Sequence, residues 1–280
     1  MKAYGKINLF LDILSKREDG YHNIASIMQT ISLHDEITVS LQKEGITIVS
    51  DHPFVPNNEK NIAYKAARLI LDKYNVKDGV KIDIDKKIPV TAGLAGGSTD
   101  AASVLVQLND LLGLNIPELE LLELGKSLGA DIPFCIKKGT FLAEGIGEDL
   151  TELPKPDDYY IILIDPTKIF VSTKWAYSHI TPDMWNKGNS DFIEDYIKEK
   201  DSSILTRNTY NIFEKPVFKN YPHLKEIKET LNSFDPDATL MSGSGATIFA
   251  LFKDYDKFTY TIDNLALKDC KIIRASTVYN

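Results

Sequence analysis

The feature that most restricts how this chain can fold is a glycine-rich segment that leads directly into an amphipathic helix. Residues 89–103 read PVTAGLAGGSTDAAS, with three glycines just ahead of the apolar helical stripe. Glycine permits positive φ angles and a close approach of a ligand to the backbone, and a helix N-terminus offers unpaired N–H groups. The segment therefore predicts an anion site suited to nucleotide phosphates, where the hydroxyls of Ser98 and Thr99 could bond a phosphate or a bound Mg²⁺.

The same residues also fit a tight strand-to-helix turn in which Ser98 or Thr99 caps the helix. The segment is not a Walker A loop, because it contains no GxxxxGK[ST]. The spacing of Gly93, Gly96 and Gly97 also differs from the GxGxxG of dinucleotide-binding folds. The residues alone leave both interpretations open.

Composition excludes several classes of protein. The 280-residue chain has a net charge of −8 and no basic block, which argues against a nucleic-acid partner. Its five histidines are scattered without metal-ligand spacing, so no dedicated metal site is expected. No apolar run is long enough to span a bilayer and no signal peptide is recognisable, so no membrane partner is expected. With only two cysteines, the chain is predicted to be cytoplasmic.

The first part of the chain is predicted to be rich in strands. The segment KINLFLDIL alternates, placing Ile7 and Leu9 on one face and Lys6, Asn8 and Asp12 on the other. Isoleucine- and valine-rich runs predict further strands, and apolar residues at helical spacing predict one helix. The strands are expected near 24–32, 36–41, 45–50 and 80–85, and the helix over about 60–74.

Helix signals are clear after the glycine-rich segment. They predict a helix of roughly fifteen residues that ends at Gly113, and a second helix between Pro117 and Gly129. The segment DIPFCIKKGTFLAEGIGE is expected to form a loop and hairpin strands.

The proline- and acid-containing run LPKPDD at 153–158 is the best candidate domain boundary, giving domains 1–155 and 156–280. Strands expected near 160–164, 238–253 and 270–278, with helical stretches between them, make the second domain α+β.

Two motifs together resemble those of the GHMP kinase superfamily, to which galactokinase, homoserine kinase and mevalonate kinase belong. Pro89 stands four residues before GLxGGS and an alanine-rich helix, and MSGSGATIF follows at 241–249. Three more stretches resemble the family of 4-diphosphocytidyl-2-C-methyl-D-erythritol kinases: AYGKINLFLDIL at 3–14, DGYHNIASIMQTI at 19–31 and LGADIPFCIKKGTFLAEGIGE at 128–148. The resemblance runs from the first strand to the GSGAT motif and is weakest over 180–215.

This resemblance implies an α+β, two-domain GHMP kinase fold. The N-terminal domain would be like the second domain of ribosomal protein S5, and the C-terminal domain ferredoxin-like. It also implies an ATP-dependent kinase, with Mg²⁺, that phosphorylates the 2-hydroxyl of the cytidyl substrate in the non-mevalonate isoprenoid pathway. A monomer or homodimer is expected.

The resemblance also implies roles for individual residues. Asp131 matches the catalytic aspartate and is expected to act as the base, and Lys6 matches the catalytic lysine. Taken alone, Asp131 would more often be a turn or capping residue, and Lys6 an exposed edge-strand lysine. The ATP-binding residues are expected to be Pro89, Gly93, Leu94, Ala95, Gly96, Gly97, Ser98 and Thr99.

For the cytidyl group, the resemblance implies stacking and hydrogen bonding by aromatic and polar side chains. The expected substrate-binding residues are Asn8, Tyr21, His22, Thr173 and Tyr177. Trp175 competes with Tyr177 for the stacking position. Asn57 and Asn61 flank the region expected to hold part of the adenine pocket. The segment RNTYNIFE at 207–214 departs from the family pattern, because Thr209 replaces an acid.

Two alternative functions remain at this stage. Another GHMP kinase, acting on homoserine, mevalonate or a sugar, would have no use for an aromatic-histidine pair, because these substrates carry no base. A non-catalytic nucleotide-binding regulator would need a phosphate site but neither Lys6 nor Asp131.

Overall fold

The computed structural model describes residues 1–279, which form two compact units. Unit 1 consists of Met1–Gly5, Leu33–Val90 and Ala95–Lys138, and unit 2 of Lys6–Ser32, Thr91–Leu94 and the chain from Gly139 onward. The units interleave along the chain, whereas the predicted domains divide it once. The boundary between residues 155 and 156 therefore stays a prediction.

The eleven strands of the described residues are numbered in chain order. They are β1 (Lys2–Lys16), β2 (His22–Gln42), β3 (Ile46–Ser50), β4 (Gly79–Asp85), β5 (Thr140–Glu144), β6 (Asp149–Glu152), β7 (Tyr160–Pro166), β8 (Tyr210–Asn211), β9 (Ala238–Met241), β10 (Ile248–Phe252) and β11 (Cys270–Ser276).

Ten α-helices lie between them within residues 1–279. They are α1 (Ile62–Lys73), α2 (Gly96–Leu111), α3 (Glu118–Leu128), α4 (Ile132–Lys137), α5 (Thr173–Ser178), α6 (Phe192–Glu199), α7 (Ser202–Arg207), α8 (Glu214–Asn220), α9 (Pro222–Asn232) and α10 (Tyr255–Asn264). None of the helices in this described part is both long and apolar enough to cross a membrane.

Unit 1 packs four helices with a small sheet. Strand β4 pairs in parallel with β3 and antiparallel with the Glu36–Gln42 part of β2. Helix α1 packs against α2 and buries Ala63, Ala66 and Ala67 completely. Such small side chains leave room for another element to approach closely.

Unit 2 contains two sheets. In the first, β8 runs parallel to β1, and the hairpin β5–β6 pairs with the N-terminal part of β2. The second is a four-stranded antiparallel sheet in the order β11-β7-β10-β9. Counted along the chain, these four strands lie in the order 4-1-3-2, so the prediction of a ferredoxin-like C-terminal part is confirmed.

Several local predictions hold. Helix α2 ends at Leu111 and is followed by Gly113 with φ +59°, and α3 has Pro117 and Gly129 as its two caps. Strands β3, β4, β7, β9, β10 and β11 lie where they were expected.

Two local predictions are wrong. The strands expected at 24–32 and 36–41 are one continuous strand, β2, because the polar residue Asp35 between them is buried and bonded rather than in a turn. The segment IPFCIK forms helix α4 instead of a loop, with Ile132, Pro133, Phe134 and Cys135 buried.

Three charged side chains are buried together in unit 1. The ammonium of Lys86 lies 2.5 Å from Asp35 Oδ2 and 2.7 Å from Asp100 Oδ2, and none of the three side chains is more than 4% exposed. One cation faces two carboxylates. Burial, reinforced by the negative charge of Asp35, raises the pKa of Asp100 to about 8, although Lys86 opposes this shift.

This pKa makes the stability of the fold depend on pH. The folded chain holds the Asp100 proton up to about pH 8, whereas the unfolded chain releases it near pH 3.8. The protonated carboxyl therefore contributes its full stabilisation below the unfolded pKa of 3.8. This contribution falls steadily as pH rises between the two pKa values and is gone once pH has risen through the folded pKa. We expect the free energy of unfolding of the wild type, minus that of Asp100→Asn, to fall by up to about 1.4 kcal/mol per pH unit between about pH 5 and pH 7.

Urea denaturation of the two proteins across this pH range measures the difference. Titrating groups that do not contact Asp100 are the same in both chains and cancel in the subtraction. Parallel stability curves would contradict a raised pKa at Asp100.

Candidate active site

The first turn of α2 has no side-chain cap. Ala95 precedes the helix in the left-handed conformation, with φ +58°. No acidic residue lies in that turn, so its N–H groups and partial positive charge remain available to a phosphate. Ser98 is half-buried within the first turn and Thr99 is buried. The interpretation of Ser98 or Thr99 as the N-cap is therefore wrong.

The preceding residues of the loop, Gly93 and Leu94, belong to unit 2 and pack against two other elements there. A Cβ on Gly93, where φ is +78°, would lie 2.1 Å from the carbonyl oxygen of Ser242. Ser242 Oγ donates to Gly93 O over 2.9 Å, and the backbone N–H of Lys6 donates to Leu94 O over 3.1 Å. The loop is thereby joined to β1 and to the turn between β9 and β10.

The polar face of β1 lies in the interior. Lys6 is 5% exposed and Asn8 is 2% exposed. The Lys6 ammonium donates to Asn8 Oδ1 over 2.6 Å, Asn8 Nδ2 donates to Ser26 Oγ over 2.8 Å, and Ser26 Oγ donates to Phe10 O. This chain of hydrogen bonds orients the lysine, so the interpretation of Lys6 as an exposed edge-strand residue is wrong.

The GSGAT turn is held by two residues that the sequence reasoning missed. Asn211 Nδ2 donates to Met241 O and Gly243 O over 2.6 and 2.7 Å, and Glu214 Oε1 accepts from the N–H of Met241. Both belong to the segment 207–214, where only the missing acid at Thr209 was noticed. The sequence signal available for them was that Asn211 and Glu214 are polar residues within the otherwise apolar and aromatic run YNIFE.

An aromatic cavity forms in unit 2 beside the start of β2. The rings of His22 and Tyr177 lie 5.4 Å apart, and Trp185 contacts His22 edge-on at 6.2 Å. Burial lowers the pKa of His22, and the charge of Lys16 lowers it further, so the imidazole is neutral at pH 7. The cavity measures about 370 Å³ and is lined by Lys16, Gly20, His22, Tyr177, Ser178, Ile180, Pro182 and Trp185.

Helix α5 connects this cavity to the GSGAT turn. Thr173, at its start, shares a 3.0 Å hydrogen bond with Ser244, and Tyr177 lies one turn later. Trp175 instead packs on His179 at 4.1 Å, so of the two competing aromatics Tyr177 contacts His22. Tyr21 is 61% exposed and does not line the cavity.

Asp131 lies in unit 1 at the N-terminus of α4. It has helical backbone angles and its side chain caps no N–H of that helix, so the interpretation as a capping aspartate is wrong. The other local interpretation, a turn residue, is confirmed, because Asp131 lies in the turn that leads into α4. Helix α4 packs against α2 and α3. Lys6 belongs to unit 2, and its approach to Asp131 stays a prediction.

The two asparagines near the expected adenine region have local structural roles. Asn61 Oδ1 accepts from the N–H of Ala63 and so caps α1, and Asn57 Oδ1 accepts from the N–H of Ser50. Pro89 lies in unit 1 between β4 and the loop.

Comparison with known proteins identifies the family. The family described as GHMP kinases N terminal domain matches residues 61–139, and GHMP kinases C terminal matches residues 197–258. A 4-diphosphocytidyl-2-C-methyl-D-erythritol kinase of Acetivibrio thermocellus is 44% identical over 255 residues, covering 91% of this chain and 90% of that protein. The kinase of the same name from Caldicellulosiruptor saccharolyticus is 40% identical and covers 100% of this chain and 97% of that protein.

The chain belongs to the 4-diphosphocytidyl-2-C-methyl-D-erythritol kinase family. A crystal structure of a 4-(cytidine 5'-diphospho)-2C-methyl-D-erythritol kinase superposes with a TM-score of 0.84 at 28% identity, covering 100% of this chain and 99% of that one. The resemblance drawn from the sequence and the GHMP kinase fold are thereby confirmed, as is the assignment as a small-molecule kinase that uses ATP.

Because the Ser242 carbonyl lies so close to Gly93, we expect Gly93→Ala to lower the free energy of unfolding more than a typical glycine-to-alanine change. Gly45 is a matched control, because its φ of +72° is close to the +78° of Gly93 but nothing lies within 4 Å of its would-be Cβ. We expect Gly45→Ala to cost about 1–2 kcal/mol for the left-handed backbone. Gly93→Ala should cost about 1–3 kcal/mol more, because the Ser242 carbonyl must move.

Urea denaturation of both variants and the wild type gives the comparison. Equal losses of stability would mean that the Gly93–Ser242 approach is not a real constraint.

Proposed function

We propose that this protein transfers the γ-phosphoryl group of ATP to the 2-hydroxyl of 4-diphosphocytidyl-2-C-methyl-D-erythritol, in the non-mevalonate route to isoprenoids. Relatives that share 40% or more of its residues over nearly the whole chain carry the name of this kinase. The observation that carries the substrate assignment is the cavity of His22 and Tyr177, because a pyrimidine ring needs an aromatic face on which to stack.

The ATP phosphates are proposed to bind at the first turn of α2 and the glycine-rich loop, Gly93–Thr99. The support is the uncapped N-terminus of α2 and the absence of acidic side chains in its first turn. Mg²⁺ is proposed to arrive with ATP and to be held mostly by phosphate oxygens and water, with the Ser98 hydroxyl available as a further ligand. Pro89 would set the entry of the chain into this loop.

Asp131 is proposed as the general base. Its carboxylate would take the proton of the 2-hydroxyl as that oxygen attacks the γ-phosphorus, and ADP would leave. Lys6 would stabilise the negative charge on the phosphoryl group during transfer, and it is already oriented by Asn8. The unused capping position of Asp131 supports this role, because its carboxylate caps no backbone N–H of α4.

The cytidyl group is proposed to stack between Tyr21 and Tyr177. A neutral His22 has one ring nitrogen that can accept a hydrogen bond from the cytosine amino group, and burial keeps this histidine neutral. Asn8 and Thr173 are proposed to bind polar groups of the same substrate. The exposed ring of Tyr21 gives it room to close over a bound base.

The domain boundary, the cellular location, the oligomeric state and the partners belong to the same proposal. The family domains are proposed to divide between residues 155 and 156. The enzyme is proposed to work in the cytoplasm as a monomer or homodimer, without nucleic-acid or membrane partners.

A substrate panel tests the proposed function directly. We expect ATP consumption with 4-diphosphocytidyl-2-C-methyl-D-erythritol and none above background with mevalonate, homoserine or galactose, because only the first carries a base for the aromatic cavity. Activity confined to a compound without cytidine would overturn the substrate assignment and leave a kinase. ATP binding without turnover of any acceptor would instead favour a regulator.

Removing the proposed base tests the mechanism. Asp131→Asn should lower kcat by about 10²–10⁴-fold, because the amide cannot take the proton. Nucleotide binding should persist, because the phosphate loop is intact. Asp191→Asn is a matched control, since Asp191 also precedes a helix with helical backbone angles and caps no N–H. Wild-type turnover by Asp131→Asn would exclude the base assignment.

A further inference from the structure

The buried charges of unit 1 join three elements around the start of the phosphate loop. Asp35 lies in β2, Lys86 directly follows β4, and Asp100 lies in the second turn of α2. The ammonium of Lys86 bonds both carboxylates, at 2.5 and 2.7 Å. Through these two contacts, the lysine connects the sheet of unit 1 to the helix on which the proposed phosphate site is built.

Asp35 also holds the backbone that leads into the loop. Its second carboxylate oxygen accepts hydrogen bonds from the N–H groups of Lys87 and Ile88, at 2.6 and 2.8 Å. The side chain of Asp35 is fully buried, so water does not compete for these bonds. The direction of the chain as it reaches Pro89 is therefore set by the same carboxylate that binds the lysine.

The Lys86 ammonium lies against the first residue of α2. A Cβ on Gly96 would come within 2.9 Å of Lys86 Nζ and 3.1 Å of Ile88 Cγ2. At the neighbouring Gly97, a Cβ would meet only Ile62 Cγ2, at an ordinary 3.6 Å. A side chain on Gly96 would therefore have to displace the ammonium of Lys86, which Asp35 and Asp100 hold in place, whereas Gly97 is exposed and has no such contact.

One oxygen of Asp100 has no hydrogen-bond partner. Asp100 Oδ1 is buried and unpaired, while Oδ2 is bound to Lys86. Burial of such a set of charges is a poor way to gain stability, since apolar residues of similar volume usually do as well. The contacts of Asp35, Lys86 and Asp100 instead fix the position of α2 relative to the segment that leads into the loop.

We propose that Lys86 is a positioning residue for ATP: clamped between Asp35 and Asp100, its side chain fixes the first turn of α2 at Gly96 relative to the segment that enters the phosphate loop. The proposal rests on the proposed function in one respect, that ATP phosphates bind at this loop. Lys86 itself need not touch the nucleotide, because it acts through the position of the Gly96–Ser98 turn.

The test measures the Kd of ATP by titration calorimetry without an acceptor, and the KM of ATP and of the cytidyl substrate in turnover. Lys86→Met keeps most of the side-chain volume and removes the ammonium. We expect at least a tenfold rise in Kd and KM for ATP and less than a twofold change in KM for the cytidyl substrate. Lys81→Met is the control, because Lys81 lies on β4, forms an ion pair with Asp83 and is 45% exposed.

A second pair of variants keeps the test valid if Lys86→Met does not fold. Asp100→Asn replaces the second acidic group with a neutral amide of the same shape, and Lys86→Met in that background leaves only Asp35 with its two N–H donors. The ATP affinities of Asp100→Asn with and without Lys86→Met should differ by at least tenfold. A folded Lys86→Met protein, in either background, that binds ATP within twofold of its reference would overturn the proposal, even if it were less stable.

A double-mutant cycle identifies the contact through which Lys86 acts. Gly96→Ala should weaken ATP binding strongly when Lys86 is present and much less in Lys86→Met, whose side chain is one atom shorter. Independent, multiplicative effects would overturn the assigned contact.

If the wild type binds ATP but does not phosphorylate the cytidyl substrate, the proposed function fails while the calorimetry still decides the role of Lys86. A wild type that binds no ATP would overturn both.

Discussion

A close approach between two backbones, at Gly93 and Ser242, constrains the part of the glycine-rich loop that lies in unit 2. A side chain on Gly93 would overlap the Ser242 carbonyl oxygen, and the Ser242 hydroxyl returns a hydrogen bond to Gly93 O. The next carbonyl, of Leu94, accepts from the N–H of Lys6. Because the backbone of Lys6 is bonded to the loop and its ammonium is bonded to Asn8, the position of this cation follows from the position of the loop.

Buried polar side chains hold the other elements in place, and losing one of their partners lowers the free energy of unfolding. Removing one partner of a buried ion pair typically costs about 3–5 kcal/mol, because the other charge is left without compensation. Here such groups stand where an element must be held in one orientation: Asn8 and Ser26 beside Lys6, and Asp35 and Asp100 around Lys86. In both places the side chain that is oriented is a lysine adjoining the loop that is proposed to hold ATP.

Sequence reasoning succeeded where the signal is local. The ends of α2 and α3 follow from Gly113, Pro117 and Gly129, whose backbone preferences act within one turn of the helix. It failed where a polar residue is satisfied from afar. Asp35 was placed between two strands, yet its carboxylate bonds residues 51 to 53 positions away and lets β2 continue. Asn211 was overlooked because the carbonyls it binds lie 30 and 32 residues further along the chain.

By itself, the sequence determined the glycine-rich loop, the helix that follows it, the positions of the C-terminal strands and, through its motifs, the family. Glycine spacing, helix stops and alternating apolar residues are properties of neighbouring positions, so they can be read along the chain. Only the tertiary structure decided that Tyr177 rather than Trp175 meets His22, and that the polar face of β1 is interior. It also decided that Gly96 faces a buried lysine. The reason is that each of these outcomes depends on contacts between residues that are far apart in the sequence. Such contacts form only when the chain has folded, and no local sequence pattern predicts them.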